Sequence, residues 1–436
     1  MGIVSARLSH VNPTAVQIFA ERCKSVDEKF CGNQCVMIRR LDKRHCVHEE
    51  LMQRKIVVNL FASTALATVF LLAGIFAATR SLVAEQQTTA PAAAASYERD
   101  DSKAQQHARD IASELLARGI PGLSLALAVD GQIVYSEGFG YADLEERVPV
   151  WPTTKLRIGS VSKPLTAVAL LQLVERGKID LDAPVQNYVP DFPEKAGKIT
   201  PRLLAGHLGG IRHYKDDEFL IARHYDNVTD GLKIFENDPL VAPPGTKFSY
   251  SSYGYNLLSA VIQSAAHQDF LAYMHEHVFR PLGLRSTTED QPAEIIEQRA
   301  RFYTRVKGKP VLNAPFVDNS YKWGGGGFLS SAEDLARFGS ALLQPGFLKP
   351  ESLRLLFTSQ KTVDGQETGY GMGWSIGKSK TGQRIYEHSG GSAGGSSQLI
   401  LYPDAHVVVA MICNFEGDDG WKREDIESIG EAFEKK

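Results

Sequence analysis

The sequence predicts an α/β fold of the α+β kind, with an antiparallel β-sheet flanked by helices and an all-helical subdomain beside it. Three observations support this prediction. An amphipathic helix and a strand hairpin come early in the folded part of the chain, a second hairpin and a helix come at its end, and the stretch between them has mostly helical patterns. Elements from the two ends are therefore expected to share one sheet.

The early elements follow from their hydrophobic periods. Residues 101–118 repeat apolar side chains at helical spacing, which predicts an opening helix. Two apolar runs, residues 123–129 and 133–135, then flank the turn pair Asp130-Gly131. An Asp-Gly pair between strand-like runs is typical of a β-hairpin.

The late elements repeat this arrangement in the opposite order. Residues 397–402 and 407–413 are rich in β-branched and apolar side chains, with Pro403-Asp404 at the turn between them. The residues from about 423 to 436 have a helical pattern. This second hairpin and the last helix are expected to complete the sheet and cover it.

The middle of the chain is predicted to be helical. Helix-like segments lie at about 201–206, 228–237, 254–267, 269–281, 332–344 and 350–359. Ser331 and Asp334 form a capping pair for the fifth segment. The four glycines at 324–327 fit either a flexible turn or a close approach between backbones.

The composition is that of an enzyme-sized globular protein. The chain has 436 residues, 43% of them hydrophobic, and a formal net charge of −3. A chain of this length can bury a large core, and the absence of a basic excess argues against a nucleic-acid partner.

Residues 56–78 form an apolar run without a charge, long enough to cross a bilayer. The run is either a transmembrane anchor flanked by Arg54 and Lys55 or the apolar part of a signal peptide that begins at Met52. On both interpretations the rest of the chain is expected to be exported.

Four regions follow from these patterns. Residues 1–51, which hold four of the five cysteines, are an extension that either lacks a fold of its own or is not translated. Residues 52–84 are the signal peptide or anchor, and residues 85–99 are a low-complexity linker rich in alanine, glutamine and threonine. Residues 100–436 form the folded domain.

The most informative local pattern is Ser160-Val-Ser-Lys163, at the start of an apolar run that ends at Gly177. Pro164 near the start and the glycine at the end predict a buried helix. Residues three apart share a helix face, so the lysine amine can reach the serine hydroxyl. A buried, neutral lysine is a base that can activate a serine nucleophile. The alternative is an ordinary helix start with a solvated lysine.

The same Ser-x-x-Lys pattern occurs again at Ser375-Ile-Gly-Lys378. Its internal glycine and strand-like neighbours do not favour a helix, so this copy is predicted to have no catalytic role.

Two further stretches supply groups that acyl transfer requires. Tyr250 follows a Pro-Gly turn and precedes an apolar helix, where its hydroxyl could relay the Ser160 proton. Residues 387–395 contain His388 and several small residues before the late hairpin, a pattern suited to offering backbone N–H groups to an oxyanion. Alone, each stretch is as consistent with an ordinary rim or loop position.

Taken in order, these motifs resemble the serine β-lactamase-like hydrolases, a family that includes class C β-lactamases, D,D-peptidases, esterases and a mitochondrial β-lactamase-like protein. The resembling stretches are Arg157-Ile-Gly-Ser160-Val-Ser-Lys163, Ile199-Thr-Pro-Arg-Leu-Leu-Ala-Gly-His207-Leu-Gly-Gly210-Ile211, Pro244-Gly-Thr-Lys-Phe-Ser-Tyr250-Ser-Ser252, residues 325–338, Tyr370-Gly-Met-Gly-Trp374 and His388-Ser-Gly390.

The resemblance implies a β-lactamase/transpeptidase-like fold with the site in the cleft between the sheet and the helical part. It implies that Ser160 is the acylated nucleophile, Lys163 its base and Tyr250 the proton relay. The oxyanion hole would be the backbone N–H groups of Ser160 and Gly391. The residues implied for substrate binding are Ser252, His388, Ser389 and Gly390. No metal or organic cofactor is implied.

Two departures affect the expected substrate. Ser252 stands where the family usually has asparagine, and His388 stands where β-lactamases usually have lysine. Serine offers one short hydroxyl in place of an amide, and histidine is not a permanent positive charge. Leu208 and Gly209 also replace the usual threonine and serine of a nearby loop.

We therefore expect an exported serine hydrolase that cleaves an ester or amide through an acyl-enzyme on Ser160. Its partner would be a small-molecule or peptide substrate, and efficient β-lactam hydrolysis is not expected. A cell-wall D,D-peptidase or a true β-lactamase is the alternative within the enzymes. A weakly active scaffold or assembly protein on the same fold is the alternative outside them.

Overall fold

The computed structural model describes residues 101–417 and 420–433, which lie in one compact unit, Glu98–Lys436. The predictions for residues 1–51, 52–84 and 85–99 lie outside the described residues, as does the apolar run at 56–78. Within the described ranges, no helix is both long enough and apolar enough to cross a membrane.

The helices and strands alternate along the chain as follows. The α-helices are α1 Ser102–Ala117, α2 Ser162–Glu175, α3 Pro201–Ala205, α4 Ser252–Ala266, α5 Phe270–Met274, α6 Trp323–Gly326, α7 Ala332–Leu343, α8 Pro350–Leu356 and α9 Arg423–Ala432. The strands are β1 Gly122–Val129, β2 Gln132–Asp143, β3 Val148–Pro149, β4 Leu156–Arg157, β5 Thr288–Glu289, β6 Tyr303–Thr304, β7 Leu312–Asn313, β8 Phe328–Ser330, β9 Ser375–Lys378, β10 Arg384–Ser392, β11 Gly395–Tyr402, β12 Val407–Cys413 and β13 Phe415–Glu416.

The main sheet joins the two ends of the described chain. Its seven strands lie in the order β3-β2-β1-β12-β11-β10-β9. β1 and β12 are antiparallel neighbours, with Leu123 opposite Cys413 and Val129 opposite Val407. Both predicted hairpins and the predicted shared sheet are confirmed.

The side chains of β1 alternate between two apolar cores. Leu123, Leu125 and Leu127 belong to a core beneath α1 and α9, whereas Ala126 and Ala128 belong to a larger core on the opposite face. Both faces of the strand are therefore buried, and β1 is apolar throughout. The predicted α+β fold is confirmed.

The helical part is built around α2, whose residues from Ser162 to Leu173 are all buried. It packs against α4 and α6, and the chain leaves it through Gly177, which has a φ of 66°. Glycine is suited to this left-handed position at the end of a helix. The predicted helix and its stop are therefore confirmed.

Two of the predicted middle helices differ from the structure. In place of a helix over 228–237 there is a 3-10 turn, Asp230–Ile234. The Asn227 side-chain oxygen accepts the N–H groups of Thr229 and Asp230, and such local bonds compete with α-helix formation. The segment predicted at 269–281 is α5 followed by a π-helical turn, His275–Phe279. The Ser331 cap is confirmed, since its hydroxyl accepts the N–H of Asp334 at 3.2 Å.

Candidate active site

Ser160 lies in a tight 3-10 turn, Gly159–Val161, immediately before α2. Gly159 has a φ of 48°, and a Cβ there would lie 2.5 Å from the carbonyl oxygen of Gly391. Glycine is therefore required both for the backbone conformation and for the contact with β10. The turn leaves Ser160 partly exposed, as a nucleophile must be.

Lys163 is completely buried, and its Nζ has three polar neighbours. Nζ lies 3.0 Å from the Ser160 Oγ, 3.0 Å from the Ser252 Oγ and 2.5 Å from the Gly325 carbonyl oxygen. Burial lowers the pKa of this amine well below its usual value, and the positive charge of Lys322 lowers the pKa further.

The neighbours of Lys163 are compatible with a neutral amine. A neutral amine has two N–H donors and one lone pair. The Gly325 carbonyl can only accept, so it takes one N–H, and the Ser252 hydroxyl can take the other. The lone pair of a neutral Lys163 can then face the hydroxyl of Ser160, which is the geometry that a base for that proton requires.

The glycine cluster at 324–327 brings a backbone carbonyl to this amine. A Cβ on Gly324 would lie 2.2 Å from the Ser259 Oγ, and one on Gly325 would lie 2.8 Å from the Ser252 carbonyl oxygen. Of the two interpretations of this cluster, the structure supports close approach. Any larger residue would push the Gly325 carbonyl away from Lys163.

Tyr250 completes the group around the nucleophile. Its hydroxyl is hydrogen-bonded to the Ser160 side chain, and its ring centre lies 4.8 Å from the Lys163 Nζ. Burial raises the pKa of Tyr250, so the phenol stays protonated and can pass a proton along a hydrogen bond.

Ser252 is the first residue of α4 and is buried. Its Oγ contacts Lys163, and its backbone N–H donates to the Nδ1 of His213 at 3.2 Å. The side chain therefore faces the Lys163 amine, and the role of Ser252 in substrate binding stays a prediction.

Gly391, which with Ser160 is predicted to form the oxyanion hole, lies on β10 beside the turn that carries Ser160. A Cβ on Gly390 would lie 1.9 Å from the Ile158 carbonyl oxygen, so glycine allows the strand to touch the turn that carries Ser160. β9 pairs with β10 only from Arg384 to Glu387. Within the described strands, the edge from Ser389 onward is therefore open to a substrate, and Ser389 and Gly391 are exposed.

His388 is buried, and both of its ring nitrogens are occupied. Nε2 lies 2.9 Å from the Tyr370 hydroxyl, and Nδ1 lies 2.7 Å from the Ser389 carbonyl oxygen. The carbonyl requires the proton on Nδ1, so Nε2 accepts from Tyr370. Burial and the nearby Lys163 lower the pKa of His388 to about 3, which keeps it neutral. Its predicted contact with substrate stays a prediction.

Four residues around the site were not among those predicted from the sequence. Gly325 supplies a carbonyl to Lys163, Tyr370 bonds His388, and His213 bonds Ser252. Lys322 is buried over the Phe219 ring at 4.5 Å, and burial lowers its pKa to about 7. Gly325 and Tyr370 lie in stretches that carry the resemblance, whereas no sequence signal distinguishes His213 or Lys322.

The family model described as Beta-lactamase matches residues 107–432. The chain belongs to the beta-lactamase family. The matched range lies inside the predicted domain at 100–436 and contains the whole candidate site.

Individual proteins agree with this assignment. The chain is 34% identical over 443 aligned positions to "Serine beta-lactamase-like protein LACTB, mitochondrial" of Mus musculus, covering 76% of this chain and 80% of that protein. It is 26% identical to an octameric penicillin-binding protein homologue from Pyrococcus abyssi, with a TM-score of 0.64 over 76% of each chain. A D-stereospecific amidohydrolase from Streptomyces sp. is 25% identical, with a TM-score of 0.63 over 74% of this chain and 98% of that one.

These relatives place the chain among the serine hydrolases and penicillin-binding-protein-like hydrolases of the β-lactamase fold. The predicted resemblance to this family is confirmed.

Proposed function

We propose that this protein is a serine hydrolase that cleaves an ester or amide through an acyl-enzyme on Ser160. Lys163 accepts the hydroxyl proton while the Oγ attacks the substrate carbonyl. The N–H groups of Ser160 and Gly391 bind the oxyanion. The proton reaches the leaving group through Tyr250, the leaving group departs, and water then hydrolyses the ester on Ser160.

The observation that carries this proposal is the state of Lys163. It is completely buried, it has no carboxylate among its hydrogen-bond partners, and it lies 3.0 Å from the Ser160 hydroxyl. Burial lowers the pKa of this amine well below its usual value, which favours the neutral form that can act as a base. A merely structural lysine would be expected to pair with an acid.

Esters and peptides fit the site better than β-lactam drugs. His388 is neutral and has both nitrogens engaged, so it offers no fixed positive charge to a drug carboxylate. The similarity to a D-stereospecific amidohydrolase favours amide cleavage as the second candidate reaction. We therefore expect slow or absent turnover of penicillins.

We also propose that the enzyme is exported, either secreted or anchored by residues 56–78, because that apolar run has the length of a membrane-crossing segment. The name of the mouse relative places that protein in mitochondria, which makes import into an organelle the competing location. Microscopy of the full chain with a C-terminal tag, in the organism that makes it, distinguishes the two.

Intact-mass spectrometry of residues 97–436, carried in parallel with the full chain, tests the reaction. Each protein is incubated separately with a fluorophosphonate, p-nitrophenyl esters, a penicillin and a D-Ala-D-Ala peptide. We expect a fluorophosphonate adduct on Ser160 and turnover of the esters.

Ser160→Ala is the control and should show no adduct. Persistent labelling of that variant would overturn the assignment of the nucleophile. A wild-type protein that forms no adduct with any compound would favour the scaffold alternative, and rapid penicillin hydrolysis would contradict the inference drawn from His388.

A further inference from the structure

His213 is an exposed histidine beside the catalytic group. Its ring meets the Tyr250 ring edge-on, with 5.6 Å between centroids, and packs on Tyr214 at 4.3 Å. Tyr250 in turn bonds Ser160. A single side chain, that of Tyr250, therefore lies between His213 and Ser160.

Backbone geometry fixes which ring nitrogen carries the proton. The N–H of Ser252 points at Nδ1 from 3.2 Å, and an N–H can only donate. Nδ1 must therefore be the acceptor, and in the neutral ring the proton lies on Nε2. Within the described residues, Nε2 has no hydrogen-bond partner.

The ring also stays neutral. Desolvation and the positive charges of Lys163 and Lys322 lower the pKa of His213 to about 4. In a neutral ring with its proton on Nε2, the lone pair on Nδ1 is engaged by the Ser252 N–H, so the ring offers Nε2–H as a hydrogen-bond donor.

The neighbouring Ser252 does not provide this donor. Its Oγ lies 3.0 Å from the Lys163 Nζ and also hydrogen-bonds the Tyr214 side chain, so the hydroxyl is already engaged within the protein. The Nε2–H of the exposed His213 side chain is a hydrogen-bond donor beside Ser252.

We propose that His213 is a substrate-contacting residue, whose Nε2–H binds a hydrogen-bond acceptor in the acyl group of the substrate. The substrates favoured are acyl groups with an amide carbonyl near the scissile carbonyl, such as N-acylated amino acids. We place the acceptor in the acyl group, the part of the substrate that forms the ester on Ser160, and the two esters of the test below differ only in that group. This inference rests on the proposed function and specifies its substrate.

The test compares two esters that share a leaving group. The acyl chains of p-nitrophenyl N-acetylglycinate and p-nitrophenyl pentanoate have the same length, and only the first carries an amide. His213→Asn keeps an acceptor near the position of Nδ1 but loses the donor at Nε2. His213→Gln has a longer side chain whose amide reaches the position of Nε2 and supplies a donor there. We compare kcat/KM of the two esters for wild type, His213→Asn and His213→Gln, with spontaneous hydrolysis subtracted.

We expect the wild type to prefer the N-acetylglycinate. The ratio of the two kcat/KM values should fall about 3- to 10-fold in His213→Asn, the value of one neutral hydrogen bond, and recover in His213→Gln. The pH profile of the remaining activity should keep the acid limb of the wild type, because a donor does not titrate in the reaction.

The matched control is His406→Asn. His406 is exposed in the turn between β11 and β12, and its φ of 53° is a conformation that asparagine adopts readily. That variant should keep the wild-type ratio.

The outcomes separate the two proposals. If both esters acylate Ser160 but His213→Asn lowers their turnover equally, the inference about His213 is wrong and the proposed function stands. A loss of the acid limb in both variants would identify His213 as a proton acceptor and overturn its role as a donor. If neither ester acylates Ser160 in the wild type, the proposed function fails and this inference fails with it.

Discussion

The chain contains the Ser-x-x-Lys pattern twice, and the two copies have different environments. Ser160 and Lys163 lie at the start of α2, where the lysine is fully buried and 3.0 Å from the serine. Ser375 and Lys378 are the ends of strand β9, and Lys378 is exposed. In a strand, residues three apart point to opposite faces, whereas in a helical turn they lie side by side. The pattern alone does not specify a catalytic pair.

The backbone around the two copies differs as well. Gly159 has a left-handed conformation and no room for a side chain, because Gly391 of β10 lies against it. Gly377, inside the second copy, has no atom within 4 Å of a Cβ built on it. The first copy is held in place by its neighbours, whereas the second is part of an open sheet edge.

The largest effect is expected from removing the amines. Lys163→Met should lower the rate of Ser160 acylation by about 10²- to 10⁴-fold, the usual contribution of a general base. Lys378→Met should leave that rate unchanged. The measurement is stopped-flow acylation by a p-nitrophenyl ester. Near-normal acylation by Lys163→Met would mean that another group accepts the Ser160 proton.

A smaller effect is expected from the two glycines. Gly159→Ala should lower the free energy of unfolding by at least about 1–2 kcal/mol, the cost of a left-handed non-glycine residue, and should also lower acylation by moving the turn. Gly377→Ala should change the free energy of unfolding by less than about 0.5 kcal/mol, as surface substitutions usually do. Urea unfolding measures both. Equal losses in the two variants would contradict the difference in packing described above.

The smallest change in rate near neutral pH is expected from Lys322→Met. The charge of Lys322 helps to lower the pKa of Lys163, so removing it raises that pKa. Activity requires neutral Lys163, so the acid limb of kcat/KM should move to higher pH. A shift to lower pH, or no shift, would show that Lys322 does not act on Lys163 through its charge.

Stability provides a second readout of Lys322. Its pKa of about 7 in the folded protein lies below the usual lysine pKa of 10.5, so the unfolded chain binds more protons between these two pH values. The free energy of unfolding of the wild type should therefore rise from about pH 7 to about pH 10.5, relative to that of Lys322→Met. A constant difference across this window would mean that the amine is not desolvated.

The sequence was most informative where a local pattern has one structural solution. The alternation of Leu123, Leu125 and Leu127 with small residues predicts a buried strand, and the turn pair Asp130-Gly131 predicts its hairpin. The sequence was misleading at 228–237, where a helical pattern is interrupted by side-chain bonds from Asn227.

In the candidate site, too, some residues were predicted from the sequence and others were not. Ser160, Lys163 and Tyr250 were predicted because each lies in a motif of recognisable order, and the structure places them in contact. The carbonyl of Gly325 and the ring of His213 were not predicted. Gly325 contributes only backbone, which has no side-chain signature, and His213 is one histidine among the twelve in the chain.

The sequence by itself determined the sheet, the central helix and the nucleophile motif, because hydrophobic period and turn chemistry act between residues that are close along the chain. Only the tertiary structure decided which of the two lysines is buried beside its serine. Burial and the positive charge of Lys322, which is far away along the chain, lower the pKa of Lys163. These are properties of the surroundings in space, and no local pattern encodes them.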